Sequence, residues 1–395
     1  QLREKVPAWL ADLRLEHGSV TVHATPRRLA VLIENLAASQ PDREELVKGP
    51  PADRAFDAAG VATPAAMGFA KKNGVDVADL QVCEIDGGKY VTAVVASKGR
   101  PTPEVLAEAL PKWVAGISFV KTMRWNASGV AFSRPIRWFV ALLGGQVIPF
   151  EYAGVTAGNT SRGLRPYDSP EIAIASADSY FDAIRQAGIV LDIEERKAAI
   201  VEMVKKAAAS VGGEAIIEEG LLGEVANLIE KPTAVLGGFN PDFLGLPRDV
   251  LIGTMKKHQR YFPVMQLSGS PVNRLTGKPE NLLPFFIAIR NGDDQHLNIV
   301  KEGNEHVLGA RFADANFFVR EDVKFPLEHY RDGLKTLTFQ TKLGSMYDKS
   351  ERMLKLAAKI AEMLKLDSVQ QSQVERAAFL AKADLTTQMV TEMTS

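Results

Sequence analysis

The 395 residues contain 47 Lys+Arg against 48 Asp+Glu, with 46% hydrophobic and 24% charged residues. A near-neutral chain excludes a protein that is basic throughout, so any positive surface must come from local segregation of charge. The length is enough for about two or three globular cores, and no apolar run approaches the roughly 18 residues of a membrane span.

The single cysteine, Cys83, excludes an internal disulfide and a thiolate zinc cluster, and it places the chain in a reducing, cytoplasmic setting. The chain begins inside a helical apolar pattern, "QLREKVPAWLADLRLEHG", without a starting methionine, and it stops inside another, so it is expected to be a fragment.

The first helix is expected to end near Gly18. "SVTVHATPRRLAVLIENL" follows with strand-like alternation on either side of a Thr-Pro break that carries Arg27 and Arg28. "EIDGGKYVTAVVASKGR" predicts a hairpin around Asp86-Gly87-Gly88, and Lys112 to Val120 closes a helix. Between Glu108 and Glu151 no acid occurs, while Lys112, Lys121, Arg124, Arg134 and Arg137 do. Here "TMRW" and "VAF" predict short strands joined by the turn Asn126 to Gly129, and "IRWFVALLGG" predicts a buried strand. Trp113, Trp125 and Trp138 are read as core anchors rather than base-stacking platforms.

Two helices are predicted within 176–188 and 193–212, each closed by a glycine. The segment 231–267 is expected to return to short strands, and "LLPFFIAIRNG" to form a buried strand. From Val250 to Pro279 acids are again absent, while Lys256, Lys257, His258, Arg260, Arg274 and Lys278 surround Tyr261 and Phe262. In "GNEHVLGARFADANFFVRED", Glu305, Arg311, Asp314 and Arg320 are expected to form a buried ion-pair network. After about Tyr330 the pattern is helical. Asp348 and Glu351 suggest a capping box, Met353, Leu356, Ile360, Met363 and Leu364 form an apolar stripe, and a break falls at Asp367-Ser368. Helices and strands without a regular βαβ rhythm indicate an α+β fold.

Nucleotide-binding signatures of the G-x-x-x-x-G-K-[ST] and G-x-G-x-x-G types are absent, as is G-x-S-x-G. The six histidines lack the i, i+4 spacing of a helical metal pair, and neither a catalytic residue nor a metal ligand is assigned. Lys121, Arg124, Arg134, Arg137, Lys256, Lys257 and Arg260 are the candidate nucleic-acid-binding residues, because phosphate neutralisation by Lys and Arg supplies most sequence-independent affinity for nucleic acid.

In order, "ATPRRLAVLIENLAASQPDRE", "KTMRWNASGVAFSRPIRWFVALLGG", "GNTSRG", "EKPTAVLGGFNPDFLGLPRDVLIGTMKKHQRYFPV", "GNEHVLGARFADANFF" and "FQTKLGSMYDKSERM" resemble the beta subunit of bacterial-type tetrameric glycine-tRNA ligase. The resemblance implies a mixed N-terminal α+β region over 1–165. It also implies a B3/B4-like α+β region over 166–328 and the start of an all-helical HD-like region over 329–395. It further implies a cytoplasmic alpha2-beta2 enzyme. Its alpha subunit carries the aminoacylation core with ATP and Mg, and its beta subunit holds tRNA(Gly) without catalysing adenylation.

No cofactor is expected in this chain, no membrane partner is expected, and the isolated piece is expected to be inactive. Where relatives commonly read Arg-Gly-His-Arg, this chain has Arg162-Gly163-Leu164-Arg165, which puts any role of that histidine in doubt. Two other readings compete: a trans-editing or HD-type hydrolase that uses the middle region, and a structural scaffold that only docks the alpha subunit.

Overall fold

The computed structural model describes residues 1–57, 60–85, 87–266 and 282–393. Asp86, Arg274 and Lys278 lie outside the described residues. The chain divides into two compact units, 1–192 and 193–395.

The first unit opens with helix α1 (Leu2–Asp12), which is shorter than the sequence pattern suggests. Arg14 turns into the left-handed region and Leu15 is buried. Gly18 therefore serves the next element: its N–H donates to Glu34 O, and a Cβ there would sit 3.0 Å from that same oxygen. Strands β1 (Val20–Thr25) and β2 (Arg28–Ile33) pair antiparallel from Val20↔Ile33 to Thr25↔Arg28. Thr25 Oγ1 accepts from the N–H groups of Arg27 and Arg28, which closes the hairpin at the Thr-Pro break.

Strands β3 (Arg43–Pro51), β4 (Gln81–Ile85) and β5 (Gly88–Ser97) form an antiparallel sheet in the order β3-β5-β4. The hairpin expected from the Gly-Gly signal is present, with Gly87 at φ 77° and Ile85 opposite Gly88.

Helix α2 (Thr102–Ala115) begins well before Lys112 and ends before Val120. It packs Val105 and Leu106 against Val6, Leu10 and Ile148, and Trp113 stacks on Trp9 at 5.2 Å.

The expected strands "TMRW" and "VAF" shrink to a single bridge, Met123↔Phe132, around a turn with Gly129 at φ 68°. "IRWFVALLGG" is likewise not one buried strand. β6 (Phe139–Val140) and a separate pair, Leu142–Leu143, are both half-buried, and β6 pairs in parallel with Val155–Gly158. The physical reason is that each two-residue piece has a different partner, since Leu142–Leu143 folds back on Gln146–Val147 across Gly144. Helix α3 (Tyr180–Gln186) and the left-handed Gly188 complete this part as expected.

The second unit is built on a four-stranded antiparallel sheet of β7 (Gly213–Ala215), β8 (Pro232–Gly238), β9 (Phe262–Gln266) and β10 (Leu282–Asn291), in the order β7-β9-β10-β8. Helices α4 (Ile193–Ala209) and α5 (Glu219–Ala226) cover one face. The other face meets helix α6 (Arg248–Gly253) and the long helix α7 (Leu297–Asp322). Strand alternation explains why β10 is apolar from Leu282 to Ile289. Ile287 and Ile289 join the α4 and α5 side, while Phe286 and Ala288 join the α7 side with Leu308 and Phe312. The expected buried strand is therefore present, with both of its faces packed.

The segment expected to be short strands after β8 is partly helical. Pro247 precedes α6, and Leu251, Thr254 and Met255 recur at helical spacing to enter the core.

The C-terminal part is helical, as expected, with α8 (Met346–Met363) and α9 (Ser368–Leu380). The capping box of α8 is Ser345 with Asp348 rather than Asp348 with Glu351, and Asp367 with Gln370 caps α9. The backbone N–H and hydroxyl of Ser345 donate to the Asp348 carboxylate, which holds that group below its usual range. The expected apolar stripe of α8 is largely exposed: Leu356, Ile360 and Met363 are 59%, 54% and 81% exposed. The buried residues of this helix are Ser350 and Ala361.

Candidate nucleic-acid interface

Lys121, Arg124, Arg134 and Arg137 are all exposed. Their segment has little regular structure and is held by turn chemistry. Asn126 Nδ2 donates to Ala153 O at 2.8 Å, and Ser128 Oγ donates to Asn126 Oδ1 at 2.6 Å. Arg124 Nε donates to Gly129 O at 2.9 Å, so this guanidinium lies along its own turn, with no acidic partner among the described residues. Phe119 meets Phe132 edge-on at 4.6 Å and fixes the base of the loop. Among the described residues, Lys121, Arg134 and Arg137 have no acidic partner.

The tryptophans divide between two roles. Trp113 is half-buried against the α1 and α2 core, as expected. Trp125 and Trp138 are half-buried too. Trp138 carries the Arg27 and Arg28 guanidinium groups at 5.6 and 5.7 Å from its ring centroid, a cation–π arrangement that is not an apolar anchor. Sequence reasoning did not place Arg27 and Arg28 at this site, although their position at a Thr-Pro turn was a signal.

The second acid-free window has a different setting. Thr254–His258 is a π-helical turn after α6, and Arg260 sits at φ 58°. π-turns and left-handed non-glycine residues concentrate at functional positions. Lys256 pairs with Glu218, and Arg260 Nε lies 2.5 Å from Glu224 Oε1. These carboxylates flank and belong to α5, more than 30 residues away in sequence. Lys257 and His258 remain exposed. Tyr261 is buried, stacked on Phe286 at 4.7 Å, and burial pushes its phenol upward.

The expected ion-pair network on α7 does not form. Glu305 accepts from Gly238 N at 2.8 Å and faces Lys301 at 3.6 Å, while Arg311, Asp314 and Arg320 are exposed. These three lie on the solvent side of a helix whose inward face is Leu308, Phe312 and Ala315. Among the described residues, no three His, Cys, Asp or Glu side chains converge as metal ligands would, and no helix is long and apolar enough to cross a membrane.

The sequence pattern of the family described as "Glycyl-tRNA synthetase beta subunit" matches residues 1–395. The chain is 43% identical over 396 residues to the "Glycine--tRNA ligase beta subunit" of Trichodesmium erythraeum, covering 99% of this chain and 54% of that protein. It is 44% identical over 390 residues to the "Glycine--tRNA ligase beta subunit" of Desulfitobacterium hafniense, covering 99% and 55%. It is also 44% identical over 395 residues to "Glycine--tRNA ligase, chloroplastic/mitochondrial 2" of Arabidopsis thaliana, covering 100% and 36%. The chain thus spans about half the length of the bacterial relatives it matches. With the whole chain matched, it belongs to the glycyl-tRNA synthetase beta subunit family.

Proposed function

We propose that this chain is the tRNA-holding part of a glycine-tRNA ligase beta subunit. It is noncatalytic for adenylation and assembles with a catalytic alpha subunit in an alpha2-beta2 cytoplasmic enzyme that attaches glycine to tRNA(Gly). ATP and Mg belong to the alpha subunit in this reading. The B3/B4-like and HD-like regions act as a frame.

The observation that supports it best is the segment of residues 109–150. It has no acid and presents Lys121, Arg124, Arg134 and Arg137 to solvent. A chain of net charge -1 gains positive potential only by such segregation. Lys257 extends the same chemistry in the second unit, and Lys256 and Arg260 join it to the extent that RNA phosphates displace Glu218 and Glu224.

The test is a titration of the protein with labelled tRNA(Gly) at several salt concentrations. Phosphate neutralisation predicts an affinity that falls steeply and linearly on a logarithmic salt scale. Negligible or salt-insensitive binding would favour the docking scaffold, and turnover of mischarged tRNA by the chain alone would favour the hydrolase.

A further inference from the structure

The turn 162–169 in the first unit is stiffer than a connection requires. Gly163 N donates to Pro170 O at 2.7 Å, and a Cβ on Gly163 would lie 2.8 Å from the Pro170 ring, so only glycine lets the backbone pass. Asp168 and Ser169 both adopt left-handed backbone, at φ 58° and 51°. Two consecutive non-glycine residues there are costly and persist only where the surroundings over-determine them, as at ligand clamps.

Four contacts supply that determination. Arg27 donates to Gly163 O at 2.7 Å and to Ser169 Oγ at 2.9 Å. Arg28, 7% exposed, donates to Arg162 O. Arg162 pairs with Glu171 at 2.9 Å. Leu164 is buried beside Ile184, Ile189 and Leu191, so the position where relatives commonly have histidine is a core position here. Arg27 and Arg28 therefore join two segments remote in sequence, since both lie over the Trp138 ring and both donate to the 162–169 turn. The segments 24–28, 134–138 and 162–171 hold six arginines against Asp168 and Glu171.

We propose that this turn is a preorganised phosphate-binding element for RNA. Arg165 and Arg137, both exposed, contact phosphodiester oxygens, and Arg27 and Arg28 are positioning residues that lock the turn and Trp138. The inference rests on the tRNA-binding reading and names residues for it. A guanidinium reads phosphate as a two-pronged donor, so its approach must be fixed. A locked turn removes the ordering cost that a free surface arginine would meet on binding.

The experiment titrates labelled tRNA(Gly) into the wild-type chain, Arg165→Ala, Arg165→Lys, Arg27→Ala and Arg27→Ala/Arg165→Ala over a range of salt, with melting curves to verify folding. Arg165→Ala is expected to weaken binding about three- to tenfold and to lower the salt slope by about 1. Arg165→Lys should restore the slope but only part of the affinity. In the Arg27→Ala background, the effect of Arg165→Ala should shrink, which a merely structural role for Arg27 does not predict. Salt-dependent wild-type binding that Arg165→Ala leaves intact in affinity and slope would overturn this inference alone. Absence of wild-type binding would overturn the RNA reading itself, and displacement of tRNA by inorganic phosphate at constant ionic strength would reassign the turn to small anions.

Discussion

Residues 121–137 and 250–262 read alike along the chain, each with cations beside aromatics and no acid, yet their surroundings in space differ. In the first, Lys121, Arg134 and Arg137 are exposed and, among the described residues, have no carboxylate partner. In the second, Glu218 at the start of α5 and Glu224 within it pair with Lys256 and Arg260, while Lys257 and His258 are exposed with no carboxylate partner among the described residues. Charge segregation along a sequence becomes segregation on a surface only when no distant element brings the opposite charge. A one-dimensional window of that kind is a statement about neighbours in the chain, and electrostatic potential is set by neighbours in space.

The sharpest separation is between arginines that hold the fold and arginines that face solvent. Arg331 is 6% exposed, lies over the rings of Tyr347 and Phe379 at 4.5 and 4.3 Å, and pairs with Glu351. Its Nε donates to Phe379 O, which ties α8 and α9 together. Arg331→Ala is expected to cost about 3 kcal/mol in urea unfolding, because it leaves a carboxylate and a carbonyl without their donor. Arg137→Ala should stay within about 0.5 kcal/mol of wild type. Equal destabilisation by both would erase the distinction between structural and solvent-facing arginines.

The next largest effect is on binding. Arg134→Gln/Arg137→Gln should lower tRNA(Gly) affinity at low salt by about tenfold, since two counterion-releasing contacts are removed. Lys256→Gln/Arg260→Gln should lower it less than about threefold, because existing ion pairs already offset those charges. A reversed order would place the principal RNA contact in the second unit.

The converse manipulation has a smaller effect and the opposite sign. Glu218→Gln/Glu224→Gln frees Lys256 and Arg260, and is expected to raise tRNA affinity by about threefold and steepen the salt slope by about 1 to 2. An unchanged titration would mean that this face does not meet the nucleic acid.

Features set by local patterning were legible in the sequence. β10 was readable because its continuous apolar run is what a strand packed on both faces requires, and the 20–33 hairpin because Thr-Pro and two flanking alternations define its turn. The helices of 193–209 and 346–363 followed from their 3.6-residue period.

What depended on distant partners was not legible. The π-turn at 254–258, the pairing of Lys256 with Glu218 and the exposure of Arg311 and Asp314 all require knowledge of which element packs opposite. The Trp138 site lay between these cases. Its parts were visible as the dipeptide Arg27-Arg28 and as the motif Arg162-Gly163-Leu164-Arg165, but only the fold puts the dipeptide over the Trp138 indole and onto the backbone of that motif.

The smallest expected effect concerns α8, where an apolar pattern misleads in the way the charge pattern of 250–262 did. Met353, Leu356, Ile360, Met363 and Leu364 follow helical spacing, and that spacing ordinarily marks a core face. Burial of α8, however, centres on Ser350 and Ala361, while Ile360 is 54% and Leu364 66% exposed. Ile and Ser have nearly the same intrinsic helix propensity. Ile360→Ser therefore removes little packing and should shift unfolding by less than about 0.5 kcal/mol. Phe312→Ala on α7 empties a fully buried site between Phe239 and Phe243, and should cost about 3 to 5 kcal/mol. A loss of about 2 kcal/mol or more for Ile360→Ser, well above the ~0.5 expected of a surface site, would mean that this face is covered in solution, and that the apolar stripe was the better guide to its surroundings.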